Sequence, residues 1–156
     1  PTFVYSRFPF NFREEISVAA GTVAGVGIGD VVVLPVSDQG AILFGSITDA
    51  SRTIAHAMTI FDARWKSPVR IGSSGAQGLL VGGLSPRVSF ISRTAEISVG
   101  DIIYNADSRF PFGLTIGQIK HIESSADSGF RQADIKFSYD PSDVFVVGIL
   151  PTHDTR

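Results

Sequence analysis

ISVGDIIYNADSRFPFGLTIGQI, residues 97–119, reads as strand, turn, strand, loop, strand. Ile97 and Val99 alternate with polar neighbours, Gly100-Asp101 makes a tight turn, and Ile102-Ile103-Tyr104 is a β-branched and aromatic run. The loop Arg109-Phe110-Pro111-Phe112-Gly113 leads into a further strand, Leu114 to Ile119. Gly117 interrupts that strand and marks a bulge or a barrel corner, because a glycine has no side chain to pack in a flat strand.

The same phrase occurs earlier in the chain. Val26-Gly27-Ile28-Gly29-Asp30-Val31-Val32 parallels Ile97 to Ile103, and Gly45-Ser46-Ile47 parallels Gly117-Gln118-Ile119. The offsets are 100 − 29 = 71 and 117 − 45 = 72. Two phrases recurring at one spacing point to a duplicated β module, with Gly29, Asp30, Gly100, Asp101, Gly113 and Gly117 as its structural turns.

Composition supports strands over helices. The chain has 156 residues, 44% hydrophobic and 18% charged, with 16 glycines and 8 prolines against one methionine; such a chain buries a core and joins short strands by turns. A net charge of −2 provides no basic footprint, which argues against nucleic acid as a partner. Cysteine is absent, so disulfides, thiolate metal sites and a cysteine nucleophile are excluded together. No apolar run approaches the ~18 residues of a membrane-spanning helix. Beginning at Pro1 without a methionine or a signal-peptide pattern, the sequence reads as a piece of something longer, with any membrane anchor upstream.

Outward from the opening stretch, strands are expected at residues 3–6, 16–20, 31–34, 41–47, 53–61, 69–71, 79–81, 88–91, 121–123, 133–139 and 144–150, separated by polar or glycine-containing turns. Phe8, Phe10 and Phe12 form a period-two aromatic set suited to filling a small barrel. Ser37-Asp38-Gln39-Gly40 reads as a hairpin turn. No segment keeps a helical period over ten residues.

Two patterns have to be weighed as chemistry. Gly72 to Gly78 is glycine-rich, but it lacks the Lys-Ser/Thr of a phosphate-binding loop and runs into strand rather than helix; no cofactor is expected. Thr53-Ile54-Ala55-His56 and Asp127-Ser128-Gly129 resemble the histidine and nucleophile segments of chymotrypsin-like serine proteases, with Asp101 or Asp107 between them. That alternative reading places His56, Asp101 or Asp107, and Ser128 in a triad. Against it, Ala126 and Phe130 stand where that family usually has glycine, and Ser-Ala-Asp-Ser-Gly is ordinary turn chemistry. His121 and His153 form no metal-ligand spacing.

The ordered phrases as a set resemble the MreC family of bacterial rod-shape-determining proteins. The series runs from Val4 to Pro9, through Ile16 to Gly21 and Gly25-Val26, Gly29 to Val33, Gly40 to Ile47, Ser51-Arg52 to Asp62, Pro68-Val69-Arg70 and Gly75 to Gly82. It continues with Val99-Gly100-Asp101 and ends at Phe110-Pro111-Phe112-Gly113-Leu114 with Gly117. Phe112 stands where the family commonly has a second proline or another residue. The resemblance implies an all-β fold of two small six-stranded-barrel-like modules packed side by side, residues 1–70 and 71–150. The last strand is free to return to the first module, and 151–156 form a tail. It further implies a non-enzymatic scaffold, extracytoplasmic and anchored through a helix absent from this chain. Such a scaffold self-associates and binds penicillin-binding proteins together with MreD and RodA. Within it, Phe110 is expected as an exposed partner contact and Phe112 as a core residue.

Overall fold

The computed structural model describes residues 2–5, 15–35, 41–124, 129–144 and 146–151. The Phe8, Phe10 and Phe12 set, the Ser37–Gly40 turn, Ser128 and His153 lie outside them. Among the described residues are twelve strands: β1 Thr2–Tyr5, β2 Glu15–Val18, β3 Val31–Pro35, β4 Ala41–Ala50, β5 Ala55–Thr59, β6 Lys66–Ile71, β7 Ala76–Val81, β8 Arg87–Ser92, β9 Ile102–Asn105, β10 Thr115–Ser124, β11 Phe130–Lys136 and β12 Val146–Leu150. Among the same residues two single 3-10 turns, Thr22–Ala24 and Pro141–Asp143, interrupt the strands. The fold is all-β, as the glycine, proline and β-branched content predicts.

Six strands close into a ring. Going round it, β10 pairs β11, then β8, β7, β6 and β9, and β9 returns to β10, every pair antiparallel. Closure removes sheet edges and leaves an inside that apolar side chains must fill. Along β6 the alternation is strict: Ser67, Val69 and Ile71 are buried while Lys66, Pro68 and Arg70 are exposed.

The remaining strands form a second set in the order β1, β12, β3, β4, β5, β2, again all antiparallel. Aligning β3 with β9 and β4 with β10, as the repeated phrase requires, gives the two sets the same order, with β12 in the place of β6. Pairing therefore groups Lys66–Ile71 with the closed ring and sends Val146–Leu150 back to the set of β1 to β5, which comes first in the chain.

The duplicated turn repeats bond for bond. Gly29 N–H donates to the Ile47 carbonyl (2.9 Å), Ile47 N–H to Asp30 (2.8 Å) and Asp30 N–H to Gly27 (3.1 Å). The counterparts are Gly100 to Ile119 (2.8 Å), Ile119 to Asp101 (2.9 Å) and Asp101 to Ser98 (3.1 Å). Each aspartate carboxylate also accepts from the backbone three residues earlier, Gly27 or Ser98, at 2.8 Å. The glycines share φ of 93° and 94°, a left-handed conformation that costs an L-residue ~1–2 kcal/mol.

Leu114 to Ile119 and His121 to Glu123, expected as separate strands, are one strand, β10. Its partner register slips beside Gly117 against β9 and between Ile119 and His121 against β11. A side chain at Gly117 would meet the Lys136 carbonyl oxygen and the Ile135 side chain, both at 2.8 Å, so the bulge is a site of close backbone approach. The polar run Lys120-His121 does not end the strand because it faces solvent.

The two sets meet where β4 lies parallel to β10, Ile42 opposite Thr115. Ile42, Leu43, Phe44 and Gly45 are buried in succession, as expected of a strand covered on both faces. Phe44 and Phe61 from one side pack with Phe137 and Tyr139 from the other, ring centroids 5.2–6.4 Å apart. Burial pushes the Tyr139 phenol's pKa well up.

Candidate interaction surface at the junction of the two strand sets

Two short segments of one pattern flank this junction: Asp62-Ala63-Arg64-Trp65, which leads into β6, and Asp107-Ser108-Arg109-Phe110, which follows β9. Each aspartate begins a tight turn. The aromatic N–H donates back to the aspartate carbonyl, Trp65 to Asp62 at 2.9 Å and Phe110 to Asp107 at 3.1 Å. The carboxylate caps the same turn by accepting the arginine backbone N–H, at 2.8 Å for Arg64 and 3.0 Å for Arg109. It then grips its own arginine's guanidinium. Arg64 Nε and Nη2 lie 3.0 and 2.7 Å from the Asp62 oxygens, and Arg109 Nε and Nη2 lie 3.0 and 2.6 Å from those of Asp107.

Such two-point pairing fixes orientation as well as energy. The carboxylates are almost covered, with 9% and 8% of their side chains exposed, while both arginines are 69% exposed. The Arg64 guanidinium holds the Asp62 carboxyl below its ordinary pKa, and Arg109 does the same for Asp107, in both cases against a desolvation that pulls the other way.

β6 and β9 are neighbours, so the two turns come together and the Trp65 and Phe110 rings stack, centroids 6.0 Å apart and planes 16° from parallel. The Trp65 indole N–H is satisfied by Ser67 Oγ at 2.9 Å, and Arg109 lies over the Phe110 face, 5.3 Å from its centroid. A cleft of about 230 Å³ opens beside the stack, walled by Arg64, Lys66 and Arg109 and by Ser46 and Met58 from β4 and β5.

The burial expected of the two loop phenylalanines is reversed. Phe110 is 8% exposed and belongs to the core, whereas Phe112 is fully exposed. The cause is the turn: Phe110 closes the Asp107 turn and falls on Trp65, whereas Phe112 lies beyond that turn, just before Gly113 with φ of 95°. Neither the paired Asp-x-Arg-aromatic segments nor the cleft was identified from the sequence, although the four-residue match is visible in it.

Of the residues of the protease alternative, Ser128 lies outside the described residues, and His56, Asp101 and Asp107 have other partners. His56 lies on β5 with its Nδ1 2.9 Å from Ser17 Oγ. Asp107 is held by Arg109, and the Asp101 carboxylate accepts from Ser98 N–H.

The sequence matches the family described as "Rod shape-determining protein MreC, barrel core" over residues 4–151. No curated protein sequence matches it. Among solved structures, MreC from Listeria monocytogenes superposes with a TM-score of 0.81 at 19% identity, covering 99% of this chain and 79% of that one. MreC from Pseudomonas aeruginosa gives 0.75 at 21%, covering 96% and 99%. The Helicobacter pylori complex between penicillin-binding protein PBP2 and MreC gives 0.67 at 17%, covering 94% and 95%.

Proposed function

The chain belongs to the MreC family of rod shape-determining proteins, and on that premise we propose that it is the extracytoplasmic scaffold domain of a cell-wall elongation machinery, acting by self-association and by binding peptidoglycan synthesis proteins. The family is non-enzymatic and shape-determining, so its work is done by surfaces. The family match across nearly the whole barrel core carries the reading.

The Helicobacter pylori relative was captured with PBP2, which makes a penicillin-binding protein the first partner to test; MreD, RodA and a second copy of the chain follow. Among the described residues no helix is long and apolar enough to cross a membrane, and one relative is described as a major periplasmic domain. The latter supports placing this domain outside the inner membrane. As module limits we propose residues 2–5 and 15–59 with 146–150 for one module and 66–136 for the other, following the strand pairing.

The loop that carries Phe112 is the contact we assign to the penicillin-binding protein, with Phe110 as its inner anchor. A fully exposed phenylalanine between Pro111 and Gly113 offers aromatic area on a constrained backbone, at small entropic cost. The experiment is calorimetry of this domain with the elongation penicillin-binding protein of the same organism. Micromolar or tighter binding is expected, with Phe112→Ala weakening it by up to ~2 kcal/mol or more and leaving the melting temperature unchanged. An unchanged affinity would move the contact elsewhere, and absence of binding would sink the partner assignment.

A further inference from the structure

We propose that His121, Glu123 and Asp134, on the outer face of the closed ring, form a binding site for a divalent cation of the zinc type, held by one imidazole nitrogen and two carboxylate oxygens. The inference is independent of the scaffold reading.

Strand register carries the first step. His121 and Glu123 are two residues apart on β10 and project from one face of the sheet. Asp134 stands opposite His121 across the β10–β11 ladder, and Arg87 stands opposite Asp134 across the β11–β8 ladder. Directly opposed residues share a face, so the four side chains collect on the solvent side of the ring. The bulge on β10 decides which residue meets Asp134. Ile119 opposes Ile135 and His121 opposes Asp134; without the extra residue, Lys120 would take the place of the histidine. Spacing along the sequence does not disclose the set, because its third donor comes from another strand.

Geometry carries the second. His121 Nδ1 lies 3.8 Å from Asp134 Oδ2 and 4.0 Å from Glu123 Oε2, and one donor atom from each residue falls within 4.8 Å of the other two. Zinc binds nitrogen and oxygen ligands at about 2.0–2.2 Å, which sets neighbouring donors of a tetrahedral site roughly 3.3–3.6 Å apart. A small inward closure brings the three together, and exposed side chains can make it.

Arg87 carries the third. Its Nη2 bonds Glu123 Oε1, and its Nε lies 3.0 Å from Asp134 Oδ1. The oxygens left over, Glu123 Oε2 and Asp134 Oδ2, are those facing His121 Nδ1. Carboxylates that ligate a metal are themselves oriented by a further hydrogen-bonding partner, and here one guanidinium orients both. The charges do not cancel: two carboxylates against one guanidinium leave a negative excess beside a neutral imidazole. Gln132, opposite Glu123, adds no charge, and among the described residues no ion pair joins Lys120 or Lys136 to either carboxylate. Imidazole with carboxylate suits zinc, whereas magnesium and calcium call for oxygen alone. Three protein donors leave the fourth position to water.

The test is calorimetry of the 156-residue chain with zinc chloride, with magnesium chloride as the hard-cation control. Imidazole nitrogen chemical shifts identify which of the three histidines binds. One zinc per chain is expected, with no magnesium binding and the shift confined to His121 Nδ1. His121→Ala and Glu123→Gln each weaken zinc binding at least about ten-fold, while His153→Ala leaves it unchanged. Both substituted side chains are exposed, so the melting temperature without metal stays that of the parent. Absence of zinc binding, equal affinity for magnesium, a shift centred on His56 or His153, or undiminished affinity in His121→Ala would each overturn the proposal.

Discussion

Phe110 and Phe112 stand one proline apart, one buried against Trp65 and the other wholly in solvent. Their removal should therefore act on different quantities. Deleting a buried phenylalanine costs the transfer energy of the ring and leaves a cavity, together about 3–5 kcal/mol; here the Trp65 stacking partner is orphaned as well. Phe110→Ala is expected to lower urea-unfolding stability by about 3 kcal/mol or more. A variant as stable as the parent would mean the stack contributes nothing to the fold. No spacing rule separates the two phenylalanines in the sequence, because both fit an aromatic-proline-aromatic loop. What decides between them is the Asp107 turn, whose bonds are local but whose orientation depends on the neighbouring β6 strand. Gly29 and Gly100 were legible for the opposite reason: glycine before Asp at the end of a polar turn answers a purely local demand for positive φ.

At the scale of the element, the repeated turn was readable from two short phrases because the bonds described above lie within the turn or reach one partner residue, Ile47 or Ile119. The β10 strand was not, since a strand continues or ends by what pairs with it, and β9, β4 and β11 all pair with β10 along its length. The Asp-x-Arg-aromatic turns went unread because their likeness spans only four residues in different sequence surroundings. Their chemistry has a pH consequence. Both Asp62 and Asp107 have folded-state pKa values below the unfolded value, first because each accepts hydrogen bonds from its arginine. A depressed carboxylate contributes stability that is complete above the unfolded pKa of about 3.9 and is lost as pH falls through the folded value. Stability from these turns should hold from neutral pH to about pH 5 and decline below about pH 4. In Asp107→Asn the neutral-pH stability should drop and the acid decline should become shallower. Urea midpoints at pH 7, 5, 4 and 3 measure both, and an unchanged acid slope would show that the Asp107 charge is not what the turn uses.

Across the whole molecule, the ring of β6 to β11 is built from one continuous segment, whereas the other set takes in β12 from beyond the ring in sequence. β12 lies between β1 and β3 and buries Val147 and Ile149 in the first core. Sequence alone leaves this return undecided, since an apolar strand fits either set and only the global pairing assigns it. The asymmetry makes the two sets unequal in what they require. Truncating the chain after Val144 removes an inner strand from one set and none from the ring, leaving β1 without its partner strand and β3 with β4 alone. Antiparallel ladders lose protection when a neighbour is removed, and opening can remain confined to one cooperative unit. In the truncated chain, hydrogen exchange of residues 15–59 should accelerate by orders of magnitude, while residues 66–136 retain slow exchange at positions inside the closed ring. The aromatic cluster of Phe44, Phe61, Phe137 and Tyr139 couples the halves and sets a limit to that independence. Protection at Phe137 and Tyr139, which lie on the shared seam, should fall with residues 15–59. Loss of protection throughout the ring would mean that the seam makes the two strand sets one cooperative unit, and retention of protection in residues 15–59 would mean that β12 is dispensable to its set.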